Sequence, residues 1–148
     1  MSNEKFTKLI KENLALLKKS VQKLEESFQK CQNFDYQKIS NENLESIEAF
    51  TARFSRTADI FTQKLVKSIL IVLRENPQTF LDKTYFLEKI KIINKADDLL
   101  KIRDLRNQIA HEYSTDDLDI IFQNTQIYTP LLLEIIKKAT KYINDNLF

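Results

Sequence analysis

The residues of this chain best suited to chemistry lie in one octapeptide, Arg106-Asn107-Gln108-Ile109-Ala110-His111-Glu112-Tyr113. His111 is the one histidine among 148 residues. Histidine is the side chain whose ordinary pKa lets it exchange protons near neutrality. Arg106 brings a planar fork of donors matched to phosphate oxygens. A base beside such a fork can bind or cut a phosphodiester without a metal ion. Asn107 adds a neutral hydrogen-bonding group and Tyr113 a phenolic hydroxyl.

The spacing limits how these groups cooperate. Residues five apart on an α-helix differ by about 140° around its axis. Arg106 and His111 therefore diverge on a regular helix, whereas Asn107 and His111 share a face, as do Arg106 and Tyr113. Joint use of Arg106 and His111 requires a helix end near His111 or a second copy of the chain. A symmetric homodimer supplies each residue twice to one cleft. The same residues also suit a purely structural role. A histidine in a last helical turn caps free carbonyls and favours the dipole. Arg106 can pair with Asp104, Glu112 or a neighbouring helix, and Tyr113 can close a turn.

Composition sets the framework that must position them. The chain has no glycine and only two prolines, Pro77 and Pro130. Phosphate-cradling glycine loops are thereby excluded, and tight hairpin turns are disfavoured. The length suits a single domain spanning residues 1–148. With 23 basic and 21 acidic residues the net charge is +2, too balanced for a nucleic-acid coat protein. Cys31 is the sole cysteine, which rules out an internal disulfide and, with one histidine, an ordinary zinc site. No metal or cofactor is expected. The N-terminus lacks the apolar core of a signal peptide, and the longest apolar run, Ile69 to Leu73, is far short of a membrane span. The expectation is a cytoplasmic protein with no membrane partner.

Hydrophobic spacing predicts about five helices in an all-α, antiparallel bundle. Phe6, Leu9, Ile10, Leu14, Leu17, Val21, Leu24 and Phe28 lay one apolar stripe along a helix from about Asn3 to Gln32. Lysines on its other face read as solvated surface. Ile47, Phe50, Phe54, Ala58, Phe61, Leu65, Ile69 and Val72 continue the pattern from about Leu44 to Glu75, where Asn76-Pro77 ends it. The three phenylalanines read as core, not as a platform for bases. A shorter helix over Lys83 to Asn94 turns Tyr85, Phe86, Ile90 and Ile93 inward. The next starts at Ala96-Asp97-Asp98 and runs to His111. Ser114 with Asp117 resembles a capping box for a last helix from Asp116 to Asn144. Pro130 should kink that helix or break it in two.

Arg-Asn-x-x-x-His-x-Tyr at the end of a penultimate helix resembles the signature of HEPN-domain proteins. More narrowly, the chain is similar to the HepT-like toxins that pair with minimal nucleotidyltransferase antitoxins. Asn107, Tyr113, Asp117-Leu118 and Thr129-Pro130-Leu131-Leu132-Leu133 carry the likeness beyond Arg106 and His111. Residues 1 to about 40 share only helical character with the family. The resemblance implies a HEPN-like bundle and a metal-independent endoribonuclease, acting as a homodimer on RNA in a type VII-like toxin–antitoxin pair. His111 would take the ribose 2′-hydroxyl proton, Arg106 would stabilise the phosphorane charge, and Asn107 would orient substrate or imidazole. The cognate nucleotidyltransferase would silence the site by AMPylation of Tyr113. The alternative is a non-catalytic HEPN subunit, a substrate-binding partner in a nucleotidyltransferase complex. Between Asp97 and Asp119 the acids Asp97, Asp98, Asp104, Glu112, Asp116, Asp117 and Asp119 outnumber Lys101, Arg103 and Arg106. Because phosphate contacts dominate nucleic-acid affinity, either lysines from the first and last helices, Lys137, Lys138 and Lys141 among them, supply the cleft or RNA is not the main ligand.

Overall fold

The computed structural model describes residues 3–111 and 115–148, without the side chains of Asn3, Thr115 and Asp116. Six α-helices and one π-helical segment account for nearly all of them. They are α1 (Asn3–Cys31), α2 (Asn41–Asp59), a π segment (Ile60–Leu65), α3 (Val66–Leu73), α4 (Phe80–Lys89), α5 (Ala96–Ala110) and α6 (Thr115–Asn146). Because α2, the π segment and α3 join end to end, they form one rod over 41–73. The described residues thus form an all-α bundle of five rods, as expected. None of these helices is long and apolar enough to cross a membrane.

Helix α1 buries Ile10, Leu17, Leu24 and Cys31, a strict seven-residue repeat that keeps one seam against its neighbour. That neighbour is the 41–73 rod, running antiparallel. Asn13 Nδ2 donates to the Lys64 carbonyl and Ser68 Oγ, Ser20 Oγ lies 2.7 Å from Thr57 Oγ1, and Arg53 Nη1 donates to Ser27 Oγ. Phe50, Phe54 and Phe61 are fully buried, so the aromatic face is core. Helix α6 returns antiparallel to α1. Gln126 Nε2 near its middle donates to the Cys31 carbonyl, and Lys11 lies over the Phe148 ring.

The helix boundaries differ from expectation where side chains or backbone conformation intervene. Ser40 accepts from the Asn43 N–H and starts α2 three residues earlier than the apolar pattern. Thr79 does the same for α4 through the Asp82 N–H. Helix α4 ends at Lys89, not Asn94, because Lys91 adopts φ 67° and the Ile92 N–H reaches back to the Leu87 carbonyl. Tyr85 points outward at 55% exposure, and Thr84 and Leu87 take the inward places. Pro130 does not break α6. It lies on the exposed side of the helix, where water can take the carbonyl it leaves unbonded. Phe122 before it and Leu132, Ile135 and Ala139 after it are buried in the same core, anchoring both halves. Ile127, from the same apolar series, is 56% exposed. The Ser114 cap lies outside the described residues.

Helix α5, which carries the octapeptide, borrows its N-terminal cap. Lys95 precedes it without a side-chain cap, and Glu88 of α4 accepts the Ala96 N–H at 2.6 Å. A carboxylate there satisfies an otherwise orphaned donor and meets the positive end of the helix dipole. Glu88→Ala is expected to lower stability by about 1 kcal/mol, roughly 2–4 °C in Tm for a chain of this size. Thermal unfolding followed by circular dichroism measures this, and an unchanged Tm contradicts the borrowed cap.

Candidate functional site

Helix α5 seats Ala96, Leu99, Ile102 and Leu105 in the core. That choice of buried face fixes where its polar residues go. Measured around the axis from Ile102, Arg106 lies at about 40°, Arg103 at about 100° and Asn107 at about 140°. All three line a groove of about 690 Å³ between α5, the 41–73 rod and the start of α4. Asp59, Thr62, Gln63 and Lys67 form the opposing wall, with Glu75, Pro77, Phe80 and Lys83 at one end.

Arg106 is locked to this wall. Its Nε donates to Asp59 Oδ1 at 2.7 Å and its Nη2 to Asp59 Oδ2 at 2.9 Å, a bidentate pair along one edge of the guanidinium. The hydrogen bonds that Arg106 donates to Asp59 raise its pKa, an effect opposed in part by burial and reinforced by the carboxylate charge. Two of the five guanidinium donors are used, which leaves the Nη1–Nη2 edge able to take a second anion. Asp59 closes α2 immediately before the π segment, whose i→i+5 pattern appears in the Val66 N–H bond to the Phe61 carbonyl. π segments inside α-helices recur at functional sites. Here the segment supplies Thr62 and Gln63 to the groove.

His111 ends α5. Its N–H still bonds the Asn107 carbonyl at 3.2 Å, and its own backbone is extended, with φ −80° and ψ 146°. The helix end required for cooperation with Arg106 is therefore present at His111. His111 nevertheless stands one turn beyond Asn107, exposed, and is not among the residues of the groove wall. The structure brings Arg106 and Asn107 into one groove and leaves His111 outside its lining. Tyr113 lies outside the described residues.

The acids of α5 do not crowd this groove. Asp104, Asp97 and Asp98 sit about 100°, 120° and 140° around the axis from Arg103. Asp97 is paired with Lys101 at 3.1 Å on the far side. The cations expected from the last helix are elsewhere. Lys138 binds Asn94 and Glu134, Lys141 binds Asp145, and Lys137 lines a separate groove between α1 and α6. Lys67 and Lys83 line the groove instead, and sequence reasoning missed both, along with Asp59. For Asp59 a signal existed, a lone carboxylate between Ala58 and Ile60-Phe61 in an otherwise apolar stretch.

Other reactive groups contribute little. Cys31 is buried, its thiol pKa is raised by desolvation, and its Sγ points to the Ser46 carbonyl. Burial of this kind leaves a cysteine inert as a nucleophile. Among the described residues no cluster of three or more His, Cys, Asp or Glu side chains forms a candidate metal site. Compared with known proteins, the chain matches no family model, no curated protein and no solved structure.

Proposed function

We propose that the protein is a metal-independent endoribonuclease of the HepT-like kind, working as a homodimer and silenced by AMPylation of Tyr113 by a partner nucleotidyltransferase. The observation that carries this reading is the placement of Arg106 and Asn107 on a cation-lined groove, with His111 one turn beyond Asn107 at the end of the same helix. A neutral His111 takes the 2′-hydroxyl proton as that oxygen bonds to phosphorus. The free edge of Arg106 holds the non-bridging oxygens as charge builds there. The P–O5′ bond then breaks and the leaving oxygen takes a proton, most simply from the His111 imidazolium of a second copy. The products carry a 2′,3′-cyclic phosphate and a 5′-hydroxyl.

The position of His111 beyond the groove wall favours completion by that second copy. Ile120 and Ile127, seven apart on α6, share a face and are 55% and 56% exposed in the single chain. They begin nine residues after His111, so a symmetric contact through them brings two copies of the His111 region together. The decisive assay is cleavage of a mixed RNA in excess chelator. Wild type should release cyclic-phosphate ends, and Ile120→Asp/Ile127→Asp should be monomeric by light scattering and at least tenfold slower. Absence of cleavage by a dimeric wild type sinks the enzyme reading.

One observation favours a second reading, a non-catalytic subunit in a nucleotidyltransferase complex. Arg106 is already held by Asp59, and His111 does not face it across the groove. In that case the groove serves recognition and Tyr113 is a modification site only. Co-expression with a nucleotidyltransferase encoded beside the chain then adds the mass of AMP to a protein that never cuts RNA.

A further inference from the structure

We infer that Lys67, Lys83 and Arg103 form a phosphate track that holds the single-stranded RNA flanking the scissile bond. The inference rests on the ribonuclease reading for the identity of the ligand, and on the groove itself for the track.

Three helices contribute one cation each to the lining of this groove, Lys67 from α3 on the wall facing α5, Lys83 from α4 at one end, and Arg103 from α5. Among the described residues none of the three has a carboxylate within ion-pair distance, in contrast to Lys101, Arg106, Lys138 and Lys141. Arg106 consumes the charge of Asp59, which leaves Glu75 as the remaining carboxylate of the lining. The unpaired balance along the groove is therefore three cations to one anion, although the chain as a whole is nearly neutral at +2. Unpaired cations converging on a concave wall raise the local potential and attract a polyanion.

Arg103 adds a second kind of contact. Its guanidinium lies over the Phe80 ring, 4.4 Å from the centroid. A guanidinium over an aromatic face is held there by cation–π attraction, and its N–H groups remain able to meet a phosphate. Thr62, Gln63 and Asn107 line the same groove with neutral donors and acceptors. Phosphate-directed cations beside neutral hydrogen-bonding side chains suit a single strand, whose bases are free to splay.

The test uses the full chain and a fluorescent single-stranded 2′-O-methyl RNA, which lacks the attacking hydroxyl and stays intact. Anisotropy titrations at several salt concentrations give affinity and its salt dependence. Lys67→Glu/Lys83→Glu should weaken binding at least tenfold and flatten the salt slope by about 1.4, at about 0.7 per lost phosphate contact on a single strand. Adding Arg103→Gln should weaken it further. The milder Lys67→Gln/Lys83→Gln pair, at one exposed and one half-buried position, should also lose affinity and melt like wild type. Lys137→Glu/Lys141→Glu, outside the groove, should stay within threefold of wild type.

Unchanged affinity in the groove variants, an equal loss in the Lys137/Lys141 control, or no binding by wild type overturns the track. The enzyme reading fails separately. A wild type that binds the 2′-O-methyl strand through these lysines yet cuts no ordinary RNA keeps the track and loses the ribonuclease. A wild type that cuts RNA while the groove variants bind normally keeps the ribonuclease and loses the track.

Discussion

His111→Ala should reduce RNA cleavage by about 10²–10⁴-fold, the usual worth of a positioned general acid–base group. It should leave binding of a non-cleavable strand within about twofold of wild type. The split follows from the geometry. Arg106, Asn107, Lys67, Lys83 and Arg103 line the groove, and His111 stands outside it at the helix end. Loss of His111 therefore removes proton transfer without removing a phosphate contact. Because its exposed side chain leaves room for a small molecule, added imidazole should restore part of the rate to His111→Ala. Arg106→Lys should behave differently. It keeps a charge but loses the planar edge that spans both carboxylate oxygens of Asp59, so binding and turnover should fall together. In cells, wild-type induction should arrest growth and His111→Ala should not. Undiminished cleavage by His111→Ala would assign the chemistry to other residues.

The bundle was legible in the sequence because apolar spacing reports burial directly. Ile10, Leu17, Leu24, Ile47, Phe50, Phe54, Phe61 and Ile69 all lie in the core that the spacing describes. The ends were less legible, since local contacts set them. Ser40 and Thr79 start helices by accepting a single backbone N–H, and Lys91 stops one by entering a left-handed conformation in a chain without glycine. Pro130 shows the opposite case, in which burial on both sides of a residue overrides its local preference.

The site was legible only as far as it is contiguous. Arg106, Asn107 and His111 stand within six positions, and their angular offsets already called for a helix end near His111 or a second copy of the chain. Asp59 lies 47 residues from Arg106, and no local pattern announces which carboxylate an arginine will meet. Lys67 and Lys83 join the groove from two other helices, so their convergence exists only in the packed bundle. The linear tally of acids is coarse for a related reason. A count along the chain merges all sides of α5, whereas the axis carries Asp97, Asp98 and Asp104 away from Arg103.

The placement of the site on such a bundle makes its geometry dependent on the core, and the sharpest probe of that dependence is Phe50. It is fully buried where α1, α2 and α6 meet, with the Phe28 ring at 6.1 Å and the Phe122 ring at 6.2 Å, the latter edge-on. Phe50→Ala removes the central ring of this cluster and leaves a cavity that helices held at both ends cannot close. The expected cost is about 3–5 kcal/mol. At roughly 2–4 °C per kcal/mol for a chain of this length, Tm should fall by about 6–20 °C. Phe50→Leu retains most of the apolar volume and should recover more than half of the loss. Asp59 belongs to the same helix as Phe50, two and a half turns on, so a loosened α2 also loosens the wall that orients Arg106. RNA cleavage by Phe50→Ala should therefore fail at a temperature about as far below that of wild type as its Tm. Cleavage that persists above the Tm of the variant would separate the site from the core, contrary to the single packed unit that the Asp59–Arg106 pair joins.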